Sequence, residues 1–187
     1  VKRPDKDDLV VSGSDVPVMT SLFNDVKGEV LGLSHESKIY RLSCADGRIT
    51  CELKGSVSSL LKKEEVNSVC IDREGRLWLN TTLGRILRSD ETMHKFENVS
   101  LDNEIDDCTV LGLLSDKNSV WIITNKKVLQ YNIDSQTFQH YSTADDNIMV
   151  DVFRYKAISL DGWGGLYVGG HRGFIHIRPV NASVVNR

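Results

Sequence analysis

The sequence predicts an all-β fold, a β-propeller of four-stranded antiparallel blades with about four blades present. Three observations predict it: a unit of about 45 residues recurs along the chain, each unit divides into short strands between turn signals, and helical periodicity is nearly absent.

The clearest unit begins at Asp72 and runs through Gly75, Trp78 and Thr81 to Gly84, a turn followed by an alternating apolar stretch and a second turn. Upstream, Asp25, Gly28 and Leu31 repeat its spacing without a gap, and Ser34 stands where Thr81 stands. Downstream, Asp116, Trp121 and Thr124 match after one deletion, and Asp161, Gly164, Tyr167, Gly170 and Gly173 match ungapped. The anchors Leu31, Trp78, Trp121 and Tyr167 are therefore 47, 43 and 46 residues apart.

Each unit has the punctuation of a blade. Runs rich in Val, Ile, Leu and Tyr alternate with Asp-Gly, Asn and Ser clusters, which reads as strand and turn. In the second unit the strands are expected at Val66 to Ile71, Leu77 to Asn80, Arg85 to Arg88 and Lys95 to Val99. The resulting division is an N-terminal segment or strand of a preceding or closing blade over 1–16, where Asp8 to Ser12 could close a four-bladed ring, blades over 17–54, 66–103 and 104–152, and a last, incomplete blade over 153–187. A connector over 55–65 carries the one helix candidate, Val57 to Glu64. In the Asp-x-x-Gly turns the aspartate can accept hydrogen bonds from the turn backbone, and glycine supplies positive φ. Asn118, at the glycine position of the third unit, is the next best residue for that conformation. The large residue that follows belongs on the second strand, burying a wide face between neighbouring blades.

Composition narrows the functional classes. The chain has 187 residues, 40% hydrophobic and 26% charged, which suits a packed core. A net charge of -3 gives no electrostatic footprint for nucleic acid. No apolar run approaches the ~18 residues of a membrane helix, and the first nine residues are too charged for a signal peptide. Cys44, Cys51, Cys70 and Cys108 include no C-x-x-C pair, and no metal or cofactor is expected. A bridge between Cys44 and Cys51 across the Asp46-Gly47 turn stays open.

The pattern from Asp72 to Gly84 resembles the two-component regulator propeller repeat of bacterial sensor proteins. The stretch from Leu166 through Gly170 and Gly173 to Pro179 is similar to the closing blade of such propellers. The resemblance covers roughly 17–179 and implies the extracytoplasmic, periplasmic input domain of a hybrid histidine kinase responding to oligosaccharides. It also implies that the chain is a carboxy-terminal piece of a larger propeller, with an immunoglobulin-like domain, a membrane helix and the kinase beyond it.

On this reading the segment binds and does not catalyse. Its partners are an oligosaccharide, the remaining blades and domains of the parent chain, and a second copy in a homodimer. The alternatives are a scaffold or protein-interaction propeller and a propeller lyase or glycosidase. The last would need clustered acids, bases or metal ligands. The carboxylates Asp102, Glu104, Asp106, Asp107, Asp145, Asp146 and Asp151 occur as loop runs, and His35, His94, His140, His171 and His176 lack ligand spacing.

Ligand contact belongs to loops rather than to repeat anchors. Trp163, inside the Asp161 to Gly164 turn, could stack on a sugar ring, though covering a blade edge is the commoner use of such a residue. His171 and Arg172 in the next turn could donate to an acidic sugar, and Arg154 with Tyr155 pairs charge with an aromatic ring; such groups are more often plain surface. Turns alternate between the two propeller faces, so these groups need not share a site. An open array of blades would expose apolar interblade surface and self-associate.

Overall fold

The computed structural model describes residues 16–45, 48–101, 108–142, 150 and 152–178. Outside them lie the seven loop carboxylates named above, the Asp46-Gly47 turn, Pro179 and the first fifteen residues. Fifteen strands form four separate antiparallel sheets in sequence order.

The first sheet contains β1 (Met19–Asn24), β2 (Val30–Ser34), β3 (Lys38–Ala45) and β4 (Arg48–Ser56). A single helical turn, α1 (Ser58–Leu61), leads to the second sheet: β5 (Val66–Ile71), β6 (Leu77–Thr81), β7 (Ile86–Ser89) and β8 (Phe96–Asn98). The third contains β9 (Val110–Ser115), β10 (Ser119–Thr124), β11 (Lys127–Asn132) and β12 (Thr137–Ser142). The fourth has three strands among the described residues, β13 (Phe153–Leu160), β14 (Leu166–Gly170) and β15 (Gly173–Ile177). Each sheet is an up-and-down meander, and the four are blades of a β-propeller. The helix expected over Val57 to Glu64 is shorter because Lys62 adopts φ 52° and ends it; Val57 and Leu61 are buried beside the first two blades.

Period-two alternation divides each blade into two faces, and the faces make three cores. The anchor Leu31, with Leu33 and Ile39, meets Leu77, Leu79 and Leu87 of the second blade. Trp78 and Ile86 meet Val120, Ile122 and Tyr131 of the third. Trp121, Ile123 and Val128 meet Leu166, Val168 and Ile177 of the fourth. Anchors thus face the next blade and their chain neighbours face the preceding one. The innermost strands are tied across blades: Leu113 N donates to Ser68 Oγ at 3.0 Å and Ser115 Oγ to the Ile71 carbonyl at 2.6 Å. Ser68 in turn bonds the buried Asn80.

The repeat motif has a polar logic. Asp72 Oδ1 accepts from the amides of Glu74 and Arg76, while Oδ2 accepts from the Trp78 indole N–H at 2.8 Å and from Arg76 Nε. Asp116 does the same for Asn118, Ser119 and the Trp121 indole. One carboxylate therefore shapes the turn and holds the anchor. Gly28, Gly75 and Gly164 have φ of 83°, 79° and 90°, as the turn requires. Asn118 departs from expectation and does not take that conformation. Its loop is one residue shorter: Asp116 N bonds the Ser119 carbonyl, whereas Asp72 N bonds that of Arg76, so no left-handed residue is needed. Ser34, Thr81 and Thr124 shape the next turn, their hydroxyls accepting the amides of Lys38, Arg85 and Lys127.

The expectation that every anchor is buried between blades fails at the fourth. Leu31, Trp78 and Trp121 are buried, but Tyr167 is 39% exposed, because no described blade follows it. It has no indole N–H to offer Asp161, and His176 Nε2 takes that place, 2.8 Å from Asp161 Oδ2. The His176 ring stacks on Tyr167 with centroids 4.1 Å apart. The open cysteine question also has an answer in the register: Cys51 is opposite Leu42 and Cys44 opposite Ile49, so the two are offset along the hairpin and both are free thiols.

Candidate functional site

At the Asp-turn end of the junction between the third and fourth blades lies a cleft of about 640 Å³. Its wall from the third blade follows from alternation. On β10 and β11, Ser119, Gln130 and Asn132 share the face of Trp121, and on β12 Thr137 and Gln139 sit opposite Asn132 and Gln130. The inner part of this face is apolar and closed by the fourth blade; the outer part is amide and hydroxyl, and stays open. Leu160, Gly162, Trp163 and Gly164 of the β13–β14 turn form the other wall.

The floor of the cleft is fixed by hydrogen bonds. Buried Gln130 donates through Nε2 to Ser119 Oγ at 2.8 Å and accepts through Oε1 from the Tyr141 hydroxyl at 3.3 Å. That defines its amide orientation and leaves further capacity on both atoms. The burial that surrounds Tyr141 holds its phenol above the usual tyrosine range, so it stays a neutral donor. Asp116 also borders the cleft, but its two oxygens already accept three N–H groups. A carboxylate so engaged shapes the turn and fixes the Trp121 ring. Lys117 adds one cation.

Trp163 stands on the rim with 95% of its surface exposed. Its amide, with that of Gly165, donates to Asp161 Oδ1, and Gly162 and Gly164 at φ 78° and 90° turn the chain so that the indole projects outward. The Trp163 amide is the first cause, and His176 the second, that holds the Asp161 carboxyl below its ordinary range.

The other residues singled out from the sequence lie elsewhere. His171 and Arg172 form the β14–β15 turn, at the opposite end of the five-residue β14 and so ~15 Å from the cleft. The His171 amide bonds the Val152 carbonyl, and Arg172 adopts φ 74°. Arg154 is exposed on β13, where Tyr155 follows it. Among the four of these residues whose side chains are described, Trp163 alone lines the cleft. The amide wall was missed in the sequence, although a signal was present: the third blade carries neutral Gln130 and Gln139 at the positions where the first carries Arg41 and Glu52 and the second Arg88 and Glu97. Among the described residues no group of three His, Cys, Asp or Glu side chains is arranged to hold a metal.

No family model and no curated protein matches the chain. Solved structures do. The extracellular domain of BT4673 from B. thetaiotaomicron, a protein described in one structure as a hybrid two component system and in another as a one component system, is similar over 88% of this chain and 21% of its own, with 19% identity and a TM-score of 0.59. YCF48 bound to D1 peptide is similar over 88% of this chain and 52% of its own, at 21% identity and a TM-score of 0.61. The dihydro-heme d1 dehydrogenase NirN, in complex with DHE, matches over 89% of this chain and 35% of its own, at 10% identity and a TM-score of 0.59. The chain therefore spans between about a fifth and about half of the structures it matches. At these identities the likeness is one of fold, four consecutive blades of a β-propeller.

Proposed function

We propose that this chain is part of the extracytoplasmic sensor of a two-component receptor, taking up an oligosaccharide in the cleft between its third and fourth blades without cleaving it. The observation that carries the reading is the lining of that cleft: neutral amides and hydroxyls on one wall and an exposed indole on the other. Side-chain amides offer a donor and an acceptor side by side, which suits the paired hydroxyls of a sugar. An indole supplies a flat apolar face on which the C–H face of a pyranose can rest. The fold shared with the BT4673 extracellular domain supports the sensor part of the reading. A ligand bridging Gln139 and Trp163 would lock two blades together, a packing change that further domains of a longer chain, kinase included, could sense.

The experiment is titration calorimetry of the protein against a panel of neutral and acidic oligosaccharides. Binding to a neutral member is expected, weakened at least tenfold by Trp163→Ala and by Gln139→Ala. Absence of binding heat and of thermal shift across the panel would overturn the reading. A scaffold function is the second reading, favoured by the neighbour YCF48, whose structure holds a peptide. It predicts capture of an extended peptide that Trp163→Ala leaves intact.

A further inference from the structure

The cleft between the third and fourth blades has a one-sided hydrogen-bonding balance. Asn132 Oδ1 accepts the amides of Asp134 and Ser135, both at 3.0 Å, and Asn118 Oδ1 accepts Arg73 Nη1 at 3.0 Å. These N–H groups can only donate, so the atoms they reach are the amide oxygens, and in both residues Nδ2 is left over as a donor. Gln130 Oε1 takes the Tyr141 hydroxyl, and Asp116 takes the amides of Asn118 and Ser119 and the Trp121 indole. The acceptors of this wall are therefore largely spent on the protein's own donors. Asn118 Nδ2, Asn132 Nδ2 and the Lys117 ammonium all belong to residues that line the cleft, and none has a partner among the described residues.

The second blade supplies the contrast in charge. Its outer junction sets Asp90 and Glu97 against Arg88 and Lys95, and the third blade has Asn132 and Gln139 at the positions of those two acids. Among the described residues lining the cleft Asp116 is the one carboxylate, and its oxygens serve the turn and the indole. Lys117 is thus not answered by an acid of its own. All of these donors stand on the third blade, which has a described blade on either side, so the imbalance does not depend on what lies beyond either end of the array. A sugar hydroxyl brings a donor with every acceptor, whereas an ionised carboxylate or sulfate ester only accepts.

We infer, resting on the oligosaccharide reading, that the ligand of this cleft is anionic: a carboxylate or sulfate ester of the sugar seats on the Lys117 ammonium and the side-chain amide nitrogens of Asn118 and Asn132. Hydrogen bonds to an ionised acceptor are shorter and stronger than those to a hydroxyl, so the charged group gains more from these donors than a neutral sugar does.

Titration calorimetry tests it with matched pairs of oligosaccharides that differ only in the charged group: uronic-acid-containing members against their carboxyl-reduced forms, and sulfated members against their desulfated forms. In at least one pair the anionic member is expected to bind about tenfold tighter or more, and the kind of pair that shows it identifies the group. Lys117→Gln should cut that ratio to under about threefold. Asn132→Asp keeps the oxygen that holds the Asp134 and Ser135 amides and exchanges the donor for a second acceptor, so it should abolish the preference while the urea midpoint stays that of the wild type. Neutral members that bind as tightly as their anionic counterparts overturn the anionic ligand and leave the oligosaccharide reading standing, whereas no binding by any member overturns both. An anionic preference that survives in both variants places the charged group elsewhere and overturns this site.

Discussion

The junction between the second and third blades and that between the third and fourth are built alike and end differently. Both have a buried tryptophan whose indole N–H is held by the turn aspartate. Opposite Trp78 in the sheet stand Arg88 and then Glu97; opposite Trp121 stand Gln130 and Gln139. In the first case Arg88 lies over the Trp78 ring at 5.3 Å, pairs with Glu97 and donates to the Tyr131 hydroxyl, so charged side chains engage one another across the outer junction and line a cavity of about 330 Å³. In the second, neutral amides stand at both positions, Gln130 shorter than the arginine and Gln139 the same length as the glutamate, and the cleft is wider. Two differences of residue type along one cross-strand row separate a charge-paired seam with a cavity of about 330 Å³ from a neutral cleft of about 640 Å³.

The largest expected effect tests what the two junctions share. Trp78→Ala and Trp121→Ala each remove a fully buried ring and should cost about 4 kcal/mol. Tyr167→Ala, at the same repeat position with no described blade covering it, should cost under about 1 kcal/mol. Urea unfolding followed by circular dichroism measures all three; equal costs at the three sites would break the idea that the following blade makes the anchor matter.

Next comes the turn aspartate. Asp72 is buried and serves the Arg76 and Trp78 side chains as well as two amides, so Asp72→Ala should cost about 3 kcal/mol. Asp25 precedes a leucine anchor and accepts the amides of Lys27 and Glu29, so Asp25→Ala should cost about 1 kcal/mol. The same unfolding series reads the difference. A smaller effect sharpens the contrast between seam and cleft: Gln130→Arg combined with Gln139→Glu rebuilds the charged seam. It should change stability by under about 1 kcal/mol while lowering oligosaccharide affinity at least tenfold.

The repeat was legible because the sequence marks each blade with residues whose roles are local. Aspartate and glycine shape one turn, Thr81 and Thr124 the next, and alternation fixes which face is apolar. The second role of Asp72 and Asp116, holding the indole, joins residues six and five positions apart through space and left no pattern of its own. The exposure of Tyr167 depends on which blade adjoins it, and spacing within one unit says nothing of that. Trp163 could be singled out because an aromatic residue in a turn has no core to serve. The wall opposite it could not, because Gln130 and Gln139 become one wall of a cleft only when strand pairing sets them side by side and the neighbouring blade stops short of them.

The smallest effect concerns the turn that presents Trp163. Asp161 Oδ1 accepts the amides of Trp163 and Gly165, and these bonds, with the His176 contact, hold its carboxyl below the ordinary aspartate value of about 3.9. A depressed carboxylate contributes fully above the value it has in the unfolded chain, and the contribution is lost as pH falls through the lower folded value. Above about pH 4 the turn should therefore be unaffected by acid. Below it, protonation removes the acceptor, and the Trp163 indole resonance should shift with a midpoint under that of a free aspartate. Two-dimensional NMR across pH 2 to 6 separates the tryptophans. A Trp163 midpoint at or above the ordinary value would reverse the sign and remove Asp161 as the group that positions the rim of the cleft; Asp161→Asn should abolish the transition at Trp163 alone.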